Sequence, residues 1–200
     1  MKKRGRPCKT GAEGELSAKE KILETALILF YQHGINSVGV DRIIAEAEVA
    51  KMTFFKHFPT KRDLILAFLK LRDERYMQLI EAQVNKTTSD PQKKLQASID
   101  AMAFWFRMSD FRGCAFINTT AEVGPGEKEE KTICISHKRR LAQFLAGLAI
   151  EGGFHDPEKL AEQLVVVIDG ATVRAQMEGP ENAIRLLSEL SSMVMDFHRK

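Results

Sequence analysis

Two hundred residues with 44% hydrophobic and 28% charged side chains describe an ordinary globular chain, long enough for one sizeable core or a small module joined to a larger one. No apolar run approaches the ~18 residues that a spanning helix needs, and no apolar segment follows the basic start, so a cytoplasmic location is expected. The net charge of +3 is unevenly spread: residues 1–62 carry 12 Lys or Arg against 7 Asp or Glu, and the remainder 18 against 20, so the surplus that suits a polyanion partner sits in the first third.

Along the chain, apolar residues recur at helical spacing and no stretch keeps the alternation of a half-buried strand, so the expected fold class is all-α. Residues 1–16 read as a basic flexible arm with Lys2, Lys3, Arg4, Arg6 and Lys9. Ser17-x-x-Glu20 has the form of a capping box and opens a helix over 18–33, striped by Ile22, Leu23, Ala26, Leu27 and Phe30 and stopped by Gly34. A short helix with Val40, Ile43, Ile44 and Ala47 follows, then a break at 48–50, then a second short segment from Lys51 to Phe58 ended by Pro59.

Thr60 with Asp63 starts a long helix to about Asn85, carrying Leu64, Phe68, Leu71, Leu79 and Ile80. Asp90-Pro91 opens the next, with Leu95, Ile99, Met102, Ala103 and Phe106 on its buried side, predicted to run to Gly113. A short helix at 115–122 precedes the break Gly124-Pro125-Gly126. A longer helix ends at Gly152-Gly153, with the charge run 127–131 as its exposed start. Asp156-Pro157 and Pro180 begin the last two, giving nine helices: residues 17–60 as one module and 61–200 as a second.

Three helices in the first sixty residues, the second and third short and joined by a tight turn, have the proportions of a helix-turn-helix. A third helix of two turns can enter the major groove only if its inner side is buried, and Val49, Phe54 and Phe58 supply that side. Lys51, Thr53, Lys56 and His57 are left outside as donors to phosphate oxygens, and Lys51 and Met52 come nearest the base edges. Any three-helix fragment also has a polar face, so spacing alone leaves a plain bundle open.

The run from Ala26 to Leu64, with Phe30, Gly34, Val40, Ile43, Ala47, Val49-Ala50-Lys51-x-Thr53, His57-Phe58-Pro59-x-Lys61 and Leu64, resembles the DNA-binding domain of TetR-family regulators. The resemblance implies that family's fold for the whole chain, and phosphate contacts at Lys51, Thr53, His57 and Lys61. Phe55 falls where a tyrosine often contacts phosphate, and Met52 where glycine is common. Phe55 lacks the hydroxyl and is left to pack against sugar, while Met52 can meet thymine methyl groups. Gly39 stands for the usual Ser or Thr cap, Ile44 for alanine and Glu48 for the turn glycine, which predicts a strained turn. Arg4-Gly5-Arg6-Pro7 resembles the core of an AT-hook, which lays two arginines in a narrow minor groove.

For the remaining helices the resemblance implies a homodimer through the last two, with Val165, Ile168, Leu187, Leu190, Val194 and Phe197 as the apolar seam. They also suggest a cavity for a small apolar or amphipathic effector, lined by Met102, Trp105, Phe106, Cys114, Asn118, His137 and Phe144. Such a ligand would release a repressor from its operator by favouring one of two states. Two other readings stand beside it: a redox- or electrophile-sensing repressor in which Arg112 and a helix start activate Cys114, and a ligand-independent DNA-binding protein. Cys8, Cys114 and Cys134 fit neither a disulfide framework nor a zinc site. The five histidines form no catalytic constellation, and H-E-x-x-H, G-x-S-x-G and nucleotide-binding glycine motifs are missing, so no enzyme, cofactor or metal is expected.

Overall fold

The computed structural model describes residues 16–199, so Arg4, Arg6 and Cys8 lie outside the described residues. These form nine helices and no strand: α1 (Ala18–His33), α2 (Val40–Glu46), α3 (Lys51–His57), α4 (Lys61–Thr87), α5 (Pro91–Trp105), α6 (Ala115–Glu122), α7 (Lys128–Glu151), α8 (Pro157–Glu178) and α9 (Pro180–Phe197). Among them, none is long and apolar enough to cross a membrane.

The capping signals act as read. Ser17 and Glu20 exchange hydrogen bonds across the start of α1, and Thr60 and Asp63 do so at α4, each satisfying two backbone N–H groups that would otherwise lack partners. Asp90 accepts from the Gln92 N–H ahead of Pro91. At α2 and α3 the caps are missing: neither Gly39 nor Ala50 offers a side-chain bond to the first turn. Glu48, where the turn asks for glycine, is held at φ 53°, a left-handed conformation that costs a side-chain-bearing residue about 1 kcal/mol.

One predicted boundary is corrected. The fifth helix stops at Trp105, not near Gly113. Beyond it the backbone bonds tighten to three-residue spacing, Arg107 N–H to Phe104, Met108 to Trp105 and Phe111 to Met108. The cause is a knot of rings: Phe111 folds back edge-on to Trp105 at 4.9 Å and against Phe106 at 5.3 Å. A continuing helix would point these rings apart.

Two cores result. The first joins α1, α2 and α3 to the opening turns of α4 through Leu64, Ile65, Phe68 and Leu69, and takes in Cys114, Ala115 and Phe116. The second lies among α4, α5, α7, α8 and α9 around Ile99, Met102, Leu141, Leu145, Leu164 and Leu187. α4 thus serves both, its first half under the small module and its second half inside the large one. The seam named from sequence is corrected too: Val165, Ile168 and Leu187 are buried within the chain, as part of the second core.

Candidate nucleic-acid interface and sensor cavity

α3 has seven residues, far too few to be helical alone. Its fold comes from below: Phe54 and Phe58 are buried, and Val49 packs against the same core. Seating that side leaves Lys51, Met52, Phe55 and Lys56 exposed, with Thr53, His57 and Lys61 half-buried at the edges. The structure therefore brings all seven of these predicted contacts to the outside of the module. Met52 is 81% exposed, an apolar side chain that no packing explains. Among the described residues Lys51 is held only by an exposed ion pair to Asp41 at 3.3 Å, a contact worth well under 1 kcal/mol and readily exchanged for a phosphate.

Several junctions tie this module and the opening turns of α4 to the larger one. The Tyr31 hydroxyl donates to the Gly113 carbonyl at 3.1 Å and accepts the Arg112 N–H at 2.9 Å, while the Arg72 guanidinium lies over the Tyr31 ring at 4.3 Å. Gly113 is needed there because its φ is 77°, and a Cβ would also meet the side-chain amide of Gln176. Asn36 donates through its N–H and side chain to Glu122, at 2.8 and 2.9 Å. Arg62 grips Glu130 with two bonds of 2.6 and 3.0 Å.

Glu130 corrects the expectation of an exposed charge run: its side chain is only 2% exposed. Arg62 holds the Glu130 carboxyl below the usual carboxylate range. Sequence reasoning missed this pair, although the signal was present. Glu130, Cys134, His137 and Leu141 fall on one helical stripe, and that stripe faces inward.

Of the predicted effector residues, Trp105, Cys114 and His137 line one small internal cavity with Arg72, Tyr76 and Lys138. Its free volume is about 10 Å³, room for a single water. Met102 and Trp105 line a cleft of about 260 Å³ between α4 and α5. Phe106 and Phe144 line neither and pack into the second core. Asn118 faces a crevice beside α1 and donates to the Arg112 carbonyl at 2.8 Å. Arg72 and Tyr76, absent from the predicted set, are common to the cavity and the cleft.

His137 is stacked on Phe116 at 3.7 Å and donates from Nδ1 to Asp73 at 2.7 Å. Burial pushes its pKa down to about 4, the Asp73 bond opposing this only in part. The unfolded chain therefore takes up a proton that the folded chain refuses between about pH 6.5 and 4. Stability from this site is complete above about pH 6.5 and is lost as the pH falls through that window, by roughly 3 kcal/mol in all. Urea titrations of the wild type and His137→Gln across the window test this: the wild type alone should show that contribution, and parallel pH dependences would refute it.

The family model described as "Bacterial regulatory proteins, tetR family" matches residues 22–68, the span of α1 to early α4. The chain is 28% identical over 184 residues to the transcriptional regulator AcuR of Cereibacter sphaeroides, covering 88% of this chain and 83% of that one. It is 26% identical over 183 residues to the HTH-type transcriptional repressor ComR of Escherichia coli, covering 88% and 84%. Its fold superposes on the crystal structure of a TetR-family transcriptional regulator from Streptomyces coelicolor with a TM-score of 0.81 and 28% identity, over 92% of this chain and 96% of that one.

Proposed function

Because this chain belongs to the TetR family of DNA-binding transcriptional regulators and is no enzyme, we propose that it acts as a homodimeric repressor released from its operator by a small apolar or amphipathic effector. The observation that carries this reading is the Tyr31 clasp. Cys114, Ala115 and Phe116 form one rim of the internal cavity, and Arg112 and Gly113, immediately before them in the chain, anchor α1 through Tyr31. A ligand that displaces this rim moves α1, and with it the seat of α3. Release follows if the ligand prefers the displaced state by the amount that DNA prefers the other. The sign of regulation takes support from the relative named as a repressor.

The test is transcription in vitro from a promoter that the purified protein binds. Added protein should lower transcript yield; a rise would make it an activator and overturn the repressor reading.

DNA contacts are proposed at Lys51, Met52, Thr53, Phe55, Lys56, His57 and Lys61, joined by the arm that carries Arg4 and Arg6. Each phosphate neutralised lowers the slope of log affinity against log salt by roughly 0.9. Arg4→Ala with Arg6→Ala should therefore weaken operator binding and flatten that slope by about 2 in a fluorescence-anisotropy salt series. Unchanged affinity at every salt concentration would remove the arm from the mechanism.

The alternative sensor, Cys114, has one observation in its favour. Burial opposes the Lys138 charge, but the Cys114 thiol and the Asp169 carboxylate beside it hold the Lys138 pKa above its usual value. The Lys138 ammonium group thus stands beside the sulfur, and reactive cysteines are found in electropositive surroundings of this kind. Treatment with N-ethylmaleimide that releases DNA from the wild type and not from Cys114→Ser would favour this reading, and equal behaviour would end it.

A further inference from the structure

We propose that the effector is a small amphipathic organic anion, with its negative group taken by Arg72 and its apolar part lodged in the α4–α5 cleft. This rests on the reading of an effector-controlled regulator and names the class of molecule that controls it. Arg72 stands where the internal cavity and the 260 Å³ cleft meet, and Tyr76 and Trp105 complete the shared wall. The cleft is somewhat smaller than the pockets that hold drug-sized molecules, so its occupant is small.

The charges facing these spaces are nearly all accounted for. Lys138 is bonded to Asp169 at 2.5 Å, and Arg75 is paired with Glu24. Asp73, behind His137, is shared with Arg140 at 2.8 Å. Among the described residues Arg72 alone of the cleft's cations has no carboxylate within 4.0 Å, and its guanidinium rests on the Tyr31 ring. Among the described residues the one carboxylate lining the cleft is Asp110, which is exposed. A half-buried guanidinium facing an apolar cleft without an anion is a group whose strongest available bond is unmade, and a carboxylate supplies two.

Leu79, Ile80, Met102, Phe104 and Met108 give the apolar lining, three of them exposed at the mouth. The position of Arg72 also supplies an output. The same guanidinium that would take the anion now rests on Tyr31, the residue that clasps α1. Drawing it toward the cleft withdraws that contact from the clasp.

Trp105 is the single tryptophan of the chain and lies in the shared wall, so its fluorescence reports occupancy directly. The full-length protein is titrated with straight-chain carboxylates from butyrate to decanoate, and with the primary amide of each as a neutral match. Carboxylates should shift the Trp105 emission at concentrations roughly tenfold or more below their amides. Arg72→Gln should remove that advantage and leave the amides unchanged, Arg72→Lys should keep part of it, and Asp110→Asn should increase it. Circular dichroism on each variant secures the fold.

Equal binding of acid and amide, an undiminished preference in Arg72→Gln, or no shift by any carboxylate overturns the proposal. Operator binding followed in the same titrations separates the two readings. An amide that binds equally and releases DNA leaves effector control standing without the anion. A carboxylate that binds through Arg72 and leaves DNA affinity untouched keeps the anion site and removes its regulatory role.

Discussion

Phe54→Ala costs the N-terminal module about 3–5 kcal/mol and abolishes operator binding. Phe54 is wholly buried, with its ring edge-on to Phe55 at 5.3 Å and tilted on Phe58 at 6.2 Å. It is the deepest of the residues that seat α3, and α3 has neither the length nor a side-chain cap to survive without its seat. The second core lies elsewhere, around Leu141, Leu145 and Leu164, so the damage should be local. Calorimetry should show an early transition moved to lower temperature ahead of a transition little changed, with far-UV circular dichroism nearly intact at low temperature. A variant that binds operator as well as the wild type would mean that α3 is not positioned from below.

The largest expected effect on assembly comes from Met177→Asp combined with Met193→Asp. Met177 is 76% exposed and Met193 68%, and Val166, Leu190 and Phe197 are exposed beside them. Val166, Val173 and Met177 recur along α8 at helical spacing, as do Leu190, Met193 and Phe197 along α9. A continuous apolar face of this kind on water is unusual for a monomer. The site of Gly170 on the same α8 stripe has open space around it, where a second helix can approach closely. Two buried, unpaired carboxylates per protomer would prevent that approach. Sedimentation equilibrium should find a folded monomer, and operator affinity should fall by at least about two orders of magnitude, because one short recognition helix reads only a few base pairs. A variant that remains dimeric would move the interface to another face.

The parts legible in the sequence were those governed by local rules. The boxes at Ser17/Glu20 and Thr60/Asp63, the breaks at Pro59 and Gly124-Pro125-Gly126, and the starts at Pro91, Pro157 and Pro180 all depend on residues within four positions of one another. The outward face of α3 was legible for the same reason, since Phe54 and Phe58 are one helical turn apart and fix its phase. The strain expected at Glu48 is present as its left-handed backbone.

What escaped depends on partners far apart in the chain. The end of α5 is set by Phe111 folding back on Trp105, which no capping rule anticipates. Val165, Ile168 and Leu187 carry the right apolar character for a seam but the wrong phase, and the phase is decided by how α8 and α9 pack on α7 and α5. Arg62 with Glu130, and Tyr31 with Gly113, lie 68 and 82 residues apart, so only the tertiary fold brings them together. Arg72 was overlooked because an arginine on a long helix reads as solvated until its neighbours are known.

The central claim is that two copies of α3 read DNA as a pair. Selection of bound sequences from random duplexes, followed by hydroxyl-radical footprinting of the best one with wild type and Lys51→Ala/Lys56→Ala protein, tests it most directly. The account predicts an inverted repeat whose half-sites show two protected patches on one face of the duplex, both weakened together by the double substitution. Enrichment of a single unrepeated half-site, or a footprint that Lys51 and Lys56 do not affect, would contradict it.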